Sequence, residues 1–294
     1  MEKERTKAAE KAAKFIRSYF KMSKNPIGLI LGTGWGKAFD FKTDFVKIDF
    51  EAIPGFKKLA KIDGHERKLI IGEIAGREVL ILDGRVHLNE KPFSKKIAKM
   101  VRLQSEMLFH IGVKQIIVTS AVGGLKANKK LLDELTQQAI NEHQDKFPDP
   151  ALHVGEIAVI DGFVSLYAPV MPLWAGEFCS PDDVLSPRLR QLALKYQGEG
   201  VIAKQAGLAM VRGPQFEGRK YDKALLSKSG AGVVGMSLYP EACIASMYDD
   251  VELLGLGFVT NDDEEEHSHK TNRARVNEMA GSLGAYLTKI ITAM

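Results

Sequence analysis

Short apolar runs that end in glycine turns constrain this chain more than any other feature. Residues 27–31, Ile-Gly-Leu-Ile-Leu, run straight into Gly32-Thr33-Gly34-Trp35-Gly36. A continuous apolar run between turn signals reads as a strand buried on both faces, so it needs a covering layer on each side. Further strands are expected at 68–74, 78–82, 115–119, 156–160, 208–211, 233–236 and 253–260. Helical periodicity is expected at 3–21, 94–110, 187–197, 220–229, 239–248 and 270–292. This alternation predicts an α/β fold, a single domain over 1–294 with a central mixed sheet flanked by helices on both faces. Ligands in such folds bind outside the strand ends.

The composition restricts the function classes. A hydrophobic fraction of 45% and a charged fraction of 27% are those of a chain that buries a full core. The net charge of +4 is too mild for a nucleic-acid polymer partner, which requires a denser basic stripe. Cys179 and Cys243 fit neither a metal spacing nor a disulfide framework, which points to a reducing, cytoplasmic setting. No apolar run reaches membrane-spanning length, and Met1-Glu2-Lys3-Glu4-Arg5 reads as the start of a charged helix instead of a signal sequence, so no membrane association is expected. Residues 126–154 stand apart as an insertion: 126–143 read as a polar helix, and Phe147-Pro148-Asp149-Pro150 as an extended break.

Several strings at the expected strand ends carry chemistry. Thr33 lies between two glycines after a strand, where backbone N–H groups and a hydroxyl can face an anion. The glycines fall as G-x-G-x-G, which disfavours a dinucleotide fingerprint. Arg85 and His87 are two apart at the end of strand 78–82, a spacing that in extended chain sends both side chains to one face. Arg85 can fork two N–H bonds to a phosphate, and His87 can add a third donor. Gly213-Pro214-Gln215-Phe216-Glu217-Gly218 and Val234-Gly235-Met236-Ser237-Leu238-Tyr239-Pro240-Glu241 combine a ring, a carboxylate and a hydroxyl with glycine breaks, as a pocket for a flat polar ligand requires. Taken singly, each residue also has a plain reading. Ser237 reads as a helix cap, Glu217 as a solvated carboxylate, Asn261 as a turn residue, and Phe216 and Met236 as core. His267-Ser268-His269 after an acidic run lacks a defined metal-ligand set, and no metal is expected.

Together with Thr119-Ser120-Ala121-Val122-Gly123-Gly124, these strings resemble the purine nucleoside phosphorylases of the trimeric, low-mass class. The resemblance covers most of the chain and loses registration at 126–154. It implies phosphorolysis of purine nucleosides, inosine and guanosine favoured, to free base and ribose 1-phosphate. Inorganic phosphate is the co-substrate, with no organic or metal cofactor, and the assembly is a homotrimer. Thr33, His65, Arg85, His87, Ala121 and Ser237 match the family's phosphate-binding positions, and Gly64-His65 its loop over the phosphate. Phe216, Glu217 and Asn261 match the base-binding positions, with Asn261, His87 and Glu217 as the catalytic set. Met236, Asn89 and His269 fall at the ribose end. That end departs most from the pattern, with Asn89 in place of a common Tyr, Ser120 of an Asn, Gly218 of a Thr and Asp262 of a Lys. Two rival readings share the scaffold: a methylthioadenosine-type or adenosine phosphorylase, and a non-catalytic nucleoside-binding protein.

Overall fold

Nine strands among the described residues of the computed structural model join a single mixed sheet. The structure describes residues 2–41, 44–59, 65–91, 93–125, 152–174, 176–198, 200–213, 215, 217–218, 221–262 and 268–294. The strands are β1 (Ile27–Leu31), β2 (Val46–Asp49), β3 (Lys68–Ile74), β4 (Arg77–Asp83), β5 (Gln115–Gly124), β6 (Ile157–Val164), β7 (Ala203–Met210), β8 (Ala231–Gly235) and β9 (Glu252–Asn261). Their order is β2-β3-β4-β1-β5-β8-β7-β6-β9, and β9 pairs back onto β5. The sheet is therefore part open and part closed: β5, β8, β7, β6 and β9 form a ring, and β1, β4, β3 and β2 extend from it. Strand β2 escapes the sequence reading because it is four residues long and buries a single position, Ile48.

The α-helices among the described residues are α1 (Glu2–Arg17), α2 (Lys95–Ile111), α3 (Pro187–Lys195), α4 (Asp222–Lys228), α5 (Tyr239–Ala245), α6 (His269–Glu278) and α7 (Ala280–Ala293). The single helix expected over 270–292 is two helices that meet at Met279, which ends one and starts the other. Serine caps fix three starts by accepting a backbone N–H: Ser94 from Ile97, Ser186 from Leu189 and Ser268 from Thr271. The polar helix at 126–143 and the break at 147–150 lie outside the described residues.

Alternation along the central strands divides the core into two layers. Ile30, Leu80, Leu82, Ile116 and Val118 face one way and pack on Ala9, Ala12 and Ile16 of α1 and Met107 and Leu108 of α2. Leu29, Leu31, Ile81, Ile117 and Leu254 face the other way, onto Leu283, Leu287 and Ile290 of α7 and Leu189 of α3. Burial on both faces is what the unbroken apolar runs require. No helix among the described residues is long and apolar enough to cross a membrane.

Candidate active site

Strands β1, β4, β5 and β9 run parallel, so their carboxyl ends share one end of the sheet. Strand β8, parallel to β7, meets β5 antiparallel and only at its tip, at Gly123 and Gly124, which sets Gly235 at its end close to Val122. The result is a cavity of about 540 Å³. Its lining includes Thr33 after β1, His87 and Asn89 after β4, Ala121 on β5, Met236 and Ser237 after β8, Asn261 on β9, and His65 and Glu217 from loops.

Backbone geometry sets the end of the cavity that holds Thr33 and Ser237. Gly32 lies against β5 so closely that a Cβ there would sit 2.6 Å from the Thr119 carbonyl oxygen and 2.8 Å from Ser120 Cα. Its N–H donates to Thr119 Oγ1 at 3.0 Å, which holds the turn that presents Thr33. Ser237 does not cap α5, whose start has no side-chain cap. Leu238 instead turns the chain at φ 78°, ψ −44°, a conformation few residues with a Cβ adopt, and its buried side chain packs near Gly255. Ser237, the residue before that turn, lines the cavity.

Two histidine rings meet in the cavity at an interplanar angle of 71°, with Nε2 of His65 3.1 Å from Nε2 of His87. The backbone N–H of Arg85 donates to His65 Nδ1 at 3.2 Å. Nδ1 is therefore an acceptor, and the ring's proton lies on Nε2, the atom that also stands 3.4 Å from Thr33 Oγ1. A donor is thus aimed into the space between Thr33 and His87. The loop after β4 is pinned by Val86 N–H to Gln104 Oε1 at 2.8 Å and His87 N–H to Glu90 Oε1 at 2.8 Å. Arg67 holds the other oxygen of Glu90 at 2.7 Å.

Arg85 is where the expected arrangement changes. Its side chain is 1% exposed, is not among the cavity-lining groups, and donates through Nη1 to Glu241 Oε1 at 3.0 Å. Nη2 is turned to the backbone carbonyls of Thr119 and Ile30. Burial lowers its pKa, opposed by the charge of Glu241. The expectation that Arg85 and His87 share a face fails because β4 ends at Asp83 and Gly84 takes φ 91°, so the period of two does not carry through. A Cβ at Gly84 would also lie 2.7 Å from His65 Cα.

At the other end Asn261 is 3% exposed, and its Oδ1 accepts from the Thr260 hydroxyl at 3.1 Å. Asn89 stands beside Met236, with Nδ2 3.8 Å from Sδ. Glu217 is carried on a loop tied to α4 by Gly218 N–H to Asp222 Oδ2 at 2.8 Å and Lys223 N–H to the Gly218 carbonyl at 3.1 Å. Phe216 and His267 lie outside the described residues, and His269 is described only as the first residue of α6. Asn272, one turn further along α6, lines the cavity, as do Glu90, Val211 and Thr260. Asn272 was missed because its only sequence signal is its distance from the Ser268 cap. Behind the site, burial and the nearby charge of Glu66 push Asp83 up to about 6.

Residues 26–292 match the sequence profile of the phosphorylase superfamily. Purine nucleoside phosphorylase 1 of Geobacillus stearothermophilus is 29% identical over 255 residues, covering 86% of this chain and 84% of that protein. The purine nucleoside phosphorylase of Mycobacterium tuberculosis is 29% identical over 254 residues, covering 86% and 82%. Among solved structures, a Schistosoma purine nucleoside phosphorylase in complex with hypoxanthine superposes with a TM-score of 0.75 at 25% identity, covering 97% of this chain and 96% of that one.

Proposed function

We propose that this chain, which belongs to the phosphorylase superfamily, cleaves purine nucleosides with inorganic phosphate, giving the free purine and ribose 1-phosphate. One observation carries the reading: hydroxyl and imidazole groups suited to an anion share a single cavity with Glu217 and Asn261, although they come from strand ends far apart in sequence. The relatives named above support the reaction class.

In this reaction a phosphate oxygen forms a bond to the anomeric carbon of the ribose while the carbon–nitrogen bond breaks and its electron pair passes to the purine. Thr33, His65, His87, Ser237 and the backbone N–H at Ala121 are assigned to the phosphate. Arg85 contributes from beneath, as a buried cation bracing β1 and β5 against α5 instead of as a direct fork. Asn261 is assigned to N7 and O6 of the base, where an amide donor stabilises the negative charge that the purine gains on leaving. Glu217 is assigned to the N1–H, which favours 6-oxopurines. Met236, Asn89 and Asn272 are assigned to the ribose side, with His269 and Phe216 as further members near the ribose and base. Phosphate is the sole co-substrate in the proposal, with no cofactor or metal, and the setting is cytoplasmic. The whole chain is taken as one domain carrying an insertion at 126–154.

A panel of inosine, guanosine and adenosine with and without phosphate tests the activity. Base release that requires phosphate and yields ribose 1-phosphate is expected. Equal release without phosphate would point to hydrolysis instead. A homotrimer is proposed on family grounds, and light scattering should return three times the chain mass; a fully active monomer would reject it.

A further inference from the structure

Lys223 lies in α4, outside the groups assigned above, yet its side chain is 2% exposed. Burying an ammonium group is costly unless it is paired and hydrogen-bonded. Its Nζ stands 3.8 Å from Glu217 Oε1, whose side chain is 7% exposed, and donates to the backbone carbonyl of Asp262 at 3.4 Å. Asp262 follows Asn261 directly. One buried cation therefore ties the two segments that the proposed function assigns to the base, the Glu217 loop and the end of β9.

We infer that Lys223 is a positioning residue for base selection, holding Glu217 as an acceptor-only carboxylate in a fixed place relative to Asn261. This inference rests on the proposed function. A carboxylate in hydrogen-bond reach of a purine N1 accepts a proton-bearing nitrogen and repels a lone pair. A buried ammonium on its far side keeps the negative charge in place within a poorly solvated wall. The tie to the Asp262 carbonyl prevents the Glu217 loop from moving independently of Asn261. Lys223 thus acts on selectivity without touching the purine, and its removal should alter discrimination more than phosphate handling.

The test compares kcat and KM for inosine and adenosine, and KM for phosphate, in the unaltered protein, Lys223→Met, Lys223→Arg, Glu217→Gln and E217Q/K223M. Lys223→Met is expected to lower the inosine-to-adenosine ratio of kcat/KM by about tenfold, with phosphate KM little changed. Lys223→Arg should restore the ratio to within about threefold, because a guanidinium keeps the charge. The double variant leaves no orphaned buried charge and so remains informative if Lys223→Met fails to fold. Its ratio should equal that of Glu217→Gln alone, since Lys223 acts through Glu217. An unchanged ratio in Lys223→Met, equal losses for both nucleosides, or a further drop in the double variant below Glu217→Gln would overturn the inference while leaving phosphorolysis intact. Absence of phosphate-dependent turnover in the unaltered protein would instead remove the proposed function and this inference with it.

Discussion

Arg85 and Glu241, 156 residues apart in sequence, form an ion pair at 3.0 Å with their side chains only 1% and 3% exposed. The pair joins the loop after β4 to α5, the helix that follows Ser237. Since the same guanidinium reaches the carbonyls of Thr119 and Ile30, one cation braces three of the segments that carry the residues proposed to hold phosphate. Its removal should register first in folding.

Glu241→Ala is accordingly expected to destabilise the protein by about 3–5 kcal/mol, because it leaves Arg85 buried and uncompensated. Arg85→Ala should cost a similar amount and should also raise phosphate KM, through displacement of Thr33 and Ser237. Urea unfolding at pH 7 with parallel phosphate titrations checks both. A stable Arg85→Ala protein that had lost only phosphate affinity would show direct contact instead of bracing.

Gly32→Ala should push β1 from β5, since the new methyl meets backbone at Thr119 and Ser120 that cannot turn aside. A loss of about 1–3 kcal/mol is expected from such overpacking, with phosphate KM raised as Thr33 moves. Thermal unfolding and steady-state kinetics read the two effects. Retention of both would mean that the turn has more room than its contacts imply.

Stability should depend on pH through Asp83, whose pKa is raised from 3.8 to about 6 by burial first and by Glu66 second. Between those values the folded state keeps a proton that the unfolded chain has released, so stability falls as pH rises through the window and stays lower above it. The expected decrease is about 2–3 kcal/mol, and Asp83→Asn should remove it. Glu252 acts with the opposite sign, since its bond to Arg188 holds it near a pKa of about 2. Its contribution is present above pH 4.5 and is lost as pH falls toward 2. Urea midpoints across pH 3–8 separate the two; a flat profile between pH 4 and 6 would contradict the Asp83 assignment.

Asn261→Asp should shift preference from 6-oxopurines toward 6-aminopurines, whose exocyclic amine can donate to the new carboxylate. The loss in kcat/KM for inosine should correspond to about 2–4 kcal/mol, the scale of removing one donor aimed at developing charge. Side-by-side kcat/KM values for inosine, guanosine and adenosine decide it. An unaltered protein that already prefers adenosine over both would transfer the base-reading role toward Asp262.

The strands were legible where burial leaves a strong mark. The runs at 27–31 and 68–74 coincide with β1 and β3, since all five residues of β1 and the Leu69–Gly72 run of β3 are buried and leave an unbroken apolar mark. β2 left no such mark, with one buried residue in four. Ring closure was not legible either, because the pairing of β9 with both β5 and β6 is a property of partners, not of any single run. At the site, Thr33, His87 and Ser237 could be named from strings beside glycines, whereas the path of the Arg85 side chain could not. Its direction depends on the φ of Gly84 and on a carboxylate far along the chain, and neither follows from local spacing. Lys223 was passed over because a lysine in a short polar helix carries no sign in sequence that it will be sealed from water.

The closed ring also bears on how the chain is made. A nascent chain elongated only as far as Val251 holds β5 and β6 but not the strand between them, so two bare edges flank the gap that β9 will fill. Unpaired edges of this kind are templates for another chain. The strand that carries Asn261 therefore also covers both of those edges at once.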